Sequence, residues 1–290
     1  MTPLWQAWLW WLAGGLLLAG LAVAVALWFC RRLGWVAPNY AGEVLPAAVG
    51  VAFPAAAVAG LLGCSVFARL GFPAHDCWLV FAAAVYFGAL GLADDLAGDA
   101  QAKGLAGHLR ALARGHVTTG ALKAILGLPG ALAIAWTAGP WPLWQVVTAS
   151  ALVALGANVV NLLDKRPARA LKGGLAGLGL ALATGYLGAA GPAGFWAAWP
   201  LLAAAVVLFP YDARRTAMMG DVGANSLGAV VGLSLALALP PLVQPALAVG
   251  LLALNLYADR RSLSDLIEAR PTLRWLDRLG VAPREGEWAS

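Results

Sequence analysis

The sequence predicts an all-α integral membrane protein, a polytopic helix bundle with about nine transmembrane helices, and three observations carry that expectation. Of the 290 residues, 61% are hydrophobic and only 11% charged, where a soluble domain carries roughly 25% charged residues. Apolar runs of about 20 residues recur from end to end, the length of a bilayer-spanning helix. The loops between them alternate between basic and nearly uncharged, as turns on opposite membrane faces do. Helices are required because backbone groups in lipid must pair within their own segment.

Taken in order, spans are expected over 4–29, 46–68, 77–93, 119–137, 141–160, 173–190, 194–210, 222–239 and 242–258. The first run, Leu4 to Phe29, has no basic residue before it and is too long for a signal-peptide core, so it counts as a span. Pro46, Pro54, Pro129 and Pro142 imply kinks rather than breaks. One set of loops holds Arg31 and Arg32; Lys103, Arg110 and Arg114; Lys165, Arg166, Arg169 and Lys172; Arg214 and Arg215; and Arg260 through Arg284. The other set, around Gly71-Phe72-Pro73, Gly139-Pro140, Gly191-Pro192 and Pro240-Pro241, carries charge only at Arg69 and Asp76. The positive-inside rule then puts the amino terminus outside and the carboxyl terminus in the cytoplasm of a multi-pass inner (cytoplasmic) membrane protein. Residues 1–260 form the membrane domain with its cytoplasmic loops, and 261–290 a cytoplasmic C-terminal segment. Trp5, Trp8, Trp10 and Trp11 crowd the outer end of the first span, where an aromatic belt is expected. Cys30, Cys64 and Cys77 are odd in number and widely spaced, and suggest neither a disulfide framework nor a zinc site.

This topology delivers Asp94, Asp95, Asp164 and Asp221 to one face, the cytoplasmic one. A carboxylate at the edge of a span is costly unless it meets a cavity, a partner or a cation. Asp94-Asp95 ends the third span. Adjacent helix positions diverge by about 100°, so one acid can point into the bundle while the other meets loop groups, and holding both ionised favours a divalent cation. A solvated helix end is the plainer alternative, although acids there face the unfavourable end of the helix dipole. Asn158, Asn161 and Asp164 recur every three residues at the end of the fifth span, a polar stripe on one face. It suits a polar ligand, or hydrogen bonds between helices. Met219-Gly220-Asp221-Val222-Gly223 opens the eighth span. Glycines admit a ligand close to the backbone, and a helix amino terminus attracts phosphate. Asp221 there would repel phosphate unless a hard cation such as Mg²⁺ or Mn²⁺ lay between them; simple helix capping is the alternative. The Lys103 to Gly120 loop, with His108, is basic and glycine-punctuated, suited to anionic phosphates or lipid headgroups.

Together these motifs resemble the polyprenyl-phosphate N-acetylhexosamine-1-phosphate transferase superfamily, which includes phospho-muramoyl-pentapeptide translocases and undecaprenyl-phosphate N-acetylglucosamine-1-phosphate transferases. The resemblance spans most of the chain. Asn39-Tyr40, followed by Pro46 and Gly50, is similar to the family's first cytoplasmic motif; the aspartate pair, the Asn158 to Asp164 motif and the glycine-aspartate motif follow in order. It implies transfer of a sugar 1-phosphate from a UDP-sugar of the N-acetylhexosamine class to a polyprenyl phosphate, with Mg²⁺ (or Mn²⁺) and release of UMP. By the same resemblance Asp221 and Asp94 look like metal ligands, and Asp94, Asp95 and Asp164 like the catalytic carboxylates. Asn158, Asn161, Lys103 and His108 look like substrate contacts. The implied partners are the lipid, the nucleotide sugar and the membrane, with a homodimer allowed and no nucleic acid. The translocases' histidine run is missing, because Glu268 to Gly280 contains none; Arg270 and Arg274, four residues apart, are the expected replacements, since arginine binds phosphate bidentately. After Asp164 the chain runs Lys165-Arg166-Pro167-Ala168-Arg169, without the second acid of some relatives, and Met218 stands where some carry an aromatic. Two other classes remain open: an intramembrane Mg²⁺-dependent prenyltransferase, from the Asp95 and Asp99 spacing, and a non-catalytic transporter or lipid carrier.

Overall fold

The computed structural model of the chain describes residues 4–67, 74–97, 114, 118–187 and 193–283. Each predicted span lies largely within a helix: α1 (Leu4–Leu33), α2 (Ala52–Phe67), α3 (Ala74–Ala97), α4 (Thr119–Thr137), α5 (Leu143–Leu163), α6 (Arg169–Leu187), α7 (Ala193–Ala213), α8 (Gly220–Ala238) and α9 (Gln244–Arg260). Two short helices follow, α10 (Leu263–Glu268) and α11 (Pro271–Arg278). Among the described residues, α1 to α8 contain eight segments long and apolar enough to cross a membrane. The ninth expected span falls just short: α9 has 17 residues, roughly 26 Å of helix, against a hydrocarbon core of about 30 Å. The chain is a helical, multi-pass membrane protein.

Where boundaries differ from the sequence expectation, tertiary contacts are the reason. Residues 46–51 were expected to begin the second span, but they are used elsewhere. Glycine at position 34, with φ +68°, ends α1, and the Trp35 N–H donates back to the Cys30 carbonyl at 2.8 Å. A hairpin follows, β1 (Val36–Pro38) antiparallel to β2 (Val44–Pro46), with Ala37 opposite Leu45. Its turn is closed by Asn39, whose Oδ1 accepts from the N–H groups of Ala41 and Glu43. The chain then pairs with the segment before α8: Met218 N–H donates to the Pro46 carbonyl, and Val49 and Gly50 N–H donate to the Met218 and Met219 carbonyls. The sixth span starts early, at Arg169, because Arg169 and Lys172 are anchored to α11 rather than left in a loop.

The bundle is built around α8. Residues Val222 to Ala236 are all buried, whereas α1 turns Trp10, Leu17, Leu21 and Trp28 outward, as a lipid-facing helix should. Lipid tails are as apolar as leucine, so helices associate through close packing, for which small residues are needed. Gly228 and Gly232, four apart on α8, meet Gly156 and Leu152 of α5; on the other side Gly88 and Gly91 of α3 meet Ser226 and Asp221. A Cβ on Gly91 would sit 2.2 Å from the Asp221 carbonyl oxygen, and one on Gly228 would sit 2.4 Å from that of Gly156. At the far end α1 and α7 are stitched by Trp11 Nε1 donating to the Trp196 carbonyl and Trp199 Nε1 to that of Leu12. Trp11 is therefore a packing residue, while Trp10 remains exposed as a belt residue would be.

The cysteine expectation is corrected. Cys64 and Cys77 form a disulfide with Cα atoms 6.5 Å apart, and Cys30 is free and buried. The pair is 13 positions apart in sequence, and α2 packing against α3 brings the two together at the end of the bundle opposite the aspartates.

Gly228→Ala should lower stability by about 1–3 kcal/mol, the usual cost of overpacking. Gly20→Ala, whose Cβ meets nothing within 4 Å, should leave it unchanged or slightly raised. Thermal unfolding in detergent checks both, and equal stability of the two variants would contradict the α5–α8 backbone contact.

Candidate functional site

Three helix ends converge at the aspartate-bearing face. Asp94 and Asp95 close α3, Asp221 lies in the first turn of α8, and Asp164 caps the C-terminal end of α5. The two acids of the α3 pair do diverge, and they have different work. Asp95 turns to α8 and accepts from the N–H groups of Asp221 and Val222, with one oxygen on each at 2.9 Å. It thus caps the amino terminus of α8 from another helix, where the positive end of the dipole favours its charge. Helix capping does occur at this motif, but Asp221 is not the cap. Asp94 and Asp221 both reach Lys123 Nζ of α4, at 2.5 Å each. Thr118 caps α4, its Oγ1 accepting from the Ala121 N–H, so the lysine sits one turn into that helix.

Lys123 was not among the residues singled out from sequence, although the signal was there. It is the one ionisable side chain in Thr119–Thr137, and a lone charge in a membrane span carries the same default significance as an acid there. Asp212 is a second such residue. It is 6% exposed and accepts from the Ala168 N–H at 3.1 Å, holding the turn that follows Asp164. Burial, and then the carboxylates of Asp212, Asp221 and Asp95, push the Asp164 carboxyl well above the ordinary aspartate range. That mutual influence places Asp164 with the other acids.

Glycine is required at position 220. Its φ is +74°, and a Cβ there would lie 2.9 Å from both the Ala48 backbone and Asp95 Oδ2. The first motif similarly serves the third, since Gly50 packs on Gly223 with room for no side chain between them. The Asn39-Tyr40 to Gly50 segment thus braces the start of α8.

The amide stripe divides. Asn158 Nδ2 donates to Asn255 Oδ1 of α9, whose own Nδ2 donates to the Leu251 carbonyl. This is the interhelical hydrogen bond that was the alternative reading for the stripe. Asn161 Nδ2 is buried without a hydrogen-bond partner, as is Asn225 Nδ2 one turn below Asp221; such groups are costly unless something accepts from them. Arg270 and Arg274 are exposed; Arg270 is the N-cap position of α11, and Arg274 Nη1 donates to the Glu268 carbonyl at 3.4 Å. Among the described residues neither makes a hydrogen bond or ion pair with the four aspartates. The C-terminal segment is instead held by Arg169, which grips both oxygens of Asp277 at 2.7 and 2.8 Å and donates to Ser264 Oγ, and by Lys172, which donates to the carbonyls of Leu276, Asp277 and Leu279. Lys103 and His108, with Asp99, lie outside the described residues.

Among the described residues no three His, Cys, Asp or Glu side chains are gathered as a metal cage. Mg²⁺, however, is commonly held by one or two carboxylates with substrate phosphates and water completing its shell. Asp94 Oδ2 and Asp221 Oδ2 converge on one cationic position, taken here by the Lys123 ammonium, so these two carboxylates would hold such an ion only with the lysine moved aside. No family model matches the chain, and no curated protein matches it.

Lys123→Ala would leave two carboxylates facing each other with no shared cation. Removing one partner of such a partly buried network should cost about 3 kcal/mol, with Lys123→Arg retaining part of it. Unfolding temperatures of the two variants test this; wild-type stability in Lys123→Ala would show that the triad is not formed.

Proposed function

We propose that the chain is a phosphoglycosyltransferase that moves a sugar 1-phosphate from a UDP-sugar to a polyprenyl phosphate at the cytoplasmic face of the inner membrane, releasing UMP. The observation that supports it most is the Asp94–Lys123–Asp221 triad at the start of α8, whose two acids belong to motifs that resemble the transferase family in kind and order. Positive-inside placement of the basic loops puts this end in the cytoplasm. The Cys64–Cys77 disulfide at the opposite end suits an oxidising exterior.

In the proposed reaction an oxygen of the lipid phosphate attacks the β-phosphorus of the donor. The anhydride bond to the α-phosphate breaks, its electron pair leaves with UMP, and a lipid diphosphate sugar remains. Such transfers depend on positioning and on neutralising charge. Lys123 supplies a positive charge held between Asp94 and Asp221. Asp95 keeps the first turn of α8 in place, so that Asp221 and the glycine backbone meet the diphosphate in one geometry. Asp164, the C-cap of α5, adds a fourth acid to this end of the bundle. Mg²⁺ or Mn²⁺ bound by Asp94 and Asp221 would offset the developing charge on the phosphoryl oxygens. The prenyltransferase alternative is disfavoured by Asp95, which is committed to the helix cap.

Asp221→Asn keeps the shape of the side chain and leaves Lys123 paired with Asp94, so it should still fold, with some loss of stability, and it should lose turnover by roughly 100-fold or more, the scale of one lost electrostatic contact in a transition state. Release of UMP from radiolabelled UDP-sugars with undecaprenyl phosphate measures it, and full activity in EDTA would reject the metal role. Orientation is read separately. A cysteine in place of exposed Leu279, with the native cysteines replaced, should resist an impermeant maleimide in intact cells; ready labelling would reverse the topology.

A further inference from the structure

The short helix α11 is no membrane span, yet Leu273, Trp275 and Leu276 on it are 40%, 61% and 45% exposed. None of the three packs into the buried clusters of the bundle. At about 100° per residue, they fall in one arc of the helix, and Arg274, Asp277 and Arg278 fall in the other. The polar arc is engaged with the protein: Arg169 grips Asp277, and Arg278 meets Glu268 at 3.5 Å. A two-faced helix with a bulky apolar arc left outward needs an apolar neighbour, either a membrane or another protein surface.

Depth decides between them. Lys172, in the first turn of α6, donates to the carbonyls of Leu276, Asp277 and Leu279 at the end of α11. Arg169, the first residue of α6, ties Asp277 to Ser264 of α10. Directly after α11, Gly280 lies against Phe209, where a Cβ would come within 3.3 Å of the ring. Phe209 stands four residues before Ala213, the end of α7 and of its membrane-spanning segment, or roughly 6 Å along the axis. Helical side chains lean toward the amino-terminal end, which for Phe209 is deeper into the membrane. Only at Ala282 does the chain reach the level of the helix end, its N–H donating to the Ala213 carbonyl at 3.4 Å. The carboxyl end of α11 is therefore level with the last turn of a span. Interfacial helices lie at that depth, with the apolar face roughly 5–10 Å into the boundary of headgroups and acyl chains, and tryptophan is enriched there.

We infer that α11 is an interfacial helix whose Leu273, Trp275 and Leu276 insert into the bilayer boundary beside α6 and α7, with the lipid surface as their partner. Arg274, on the other arc, stays on the aqueous side. The inference rests on exposure and depth and stands whether or not the chain transfers a sugar phosphate. A nitroxide on Leu276→Cys tests it in the full-length protein, with Cys30 replaced and the Cys64–Cys77 disulfide intact. The protein is placed in nanodiscs of phosphatidylcholine and phosphatidylglycerol, and power-saturation EPR compares relaxation by oxygen, which concentrates in lipid, with relaxation by a water-soluble nickel chelate. Oxygen should be the more effective relaxant at Leu276→Cys, and the chelate the more effective at Arg274→Cys. Should Leu276→Cys fail to fold, Trp275→Cys is read in the same way. A label relaxed mainly by the chelate at position 276 would place the apolar arc in water. Exclusion of both relaxants there would assign the arc to another segment of the chain or to a second copy. Either result overturns the inference, as does loss of the contrast between positions 276 and 274.

Discussion

Between α8 and its two neighbours the contact is backbone against backbone: Gly91 lies on the Asp221 carbonyl, Gly228 on Gly156, and Gly232 on the Leu152 carbonyl. In lipid no hydrophobic effect draws helices together, and what holds them is the density of contact that small residues permit. That constraint sets the site. With α3 pressed against the start of α8, the last turn of α3 must end where the first N–H groups of α8 emerge, and Asp95 meets them there. The same approach leaves Asp94 and Asp221 close enough to share one lysine. Larger residues at these glycines would separate the helices and the acids with them.

Each charge at this end of the bundle has its own solution to leaving bulk water. Asp95 is met by backbone N–H groups and a helix dipole. Asp94 and Asp221 are met by Lys123, Asp277 by a bidentate arginine, and Asp212 by the Ala168 N–H. Asp164 is met least well, and its carboxyl accordingly holds its proton more tightly than an ordinary aspartate. Most of these charges are answered, while the buried amides of Asn161 and Asn225 are left over, at a cost in stability.

Much of the architecture was legible from sequence, and for local reasons. A helix that must pair its own backbone in lipid shows itself in about 20 consecutive residues, so existence and order of the spans follow from composition. Boundaries were less legible. Residues 46–51 are apolar enough to be read as span, yet their N–H and carbonyl groups pair with 218 and 219, some 170 residues away. Arg169 and Lys172 read as loop charges, yet belong to the first turn of α6 because α11 carries Asp277 and open carbonyls to them. The two cysteines that pair lie on α2 and α3, and spacing alone does not say that these helix ends meet.

The sequence by itself determined the solvent of this protein, its helices, and the arrival of four aspartates at one face, because hydropathy and charge alternation are properties of contiguous chain. Only the tertiary structure decided what each polar group does. Asp95 became a cap for a helix 126 residues away, Asn158 the partner of Asn255, and Lys123 the shared cation of two acids 29 and 98 residues distant. Those roles depend on which helix faces lie against each other and how closely. In lipid that is set by the fit of small residues across interfaces; a spacing such as Gly228 to Gly232 marks a close-packing face but does not say which helix meets it.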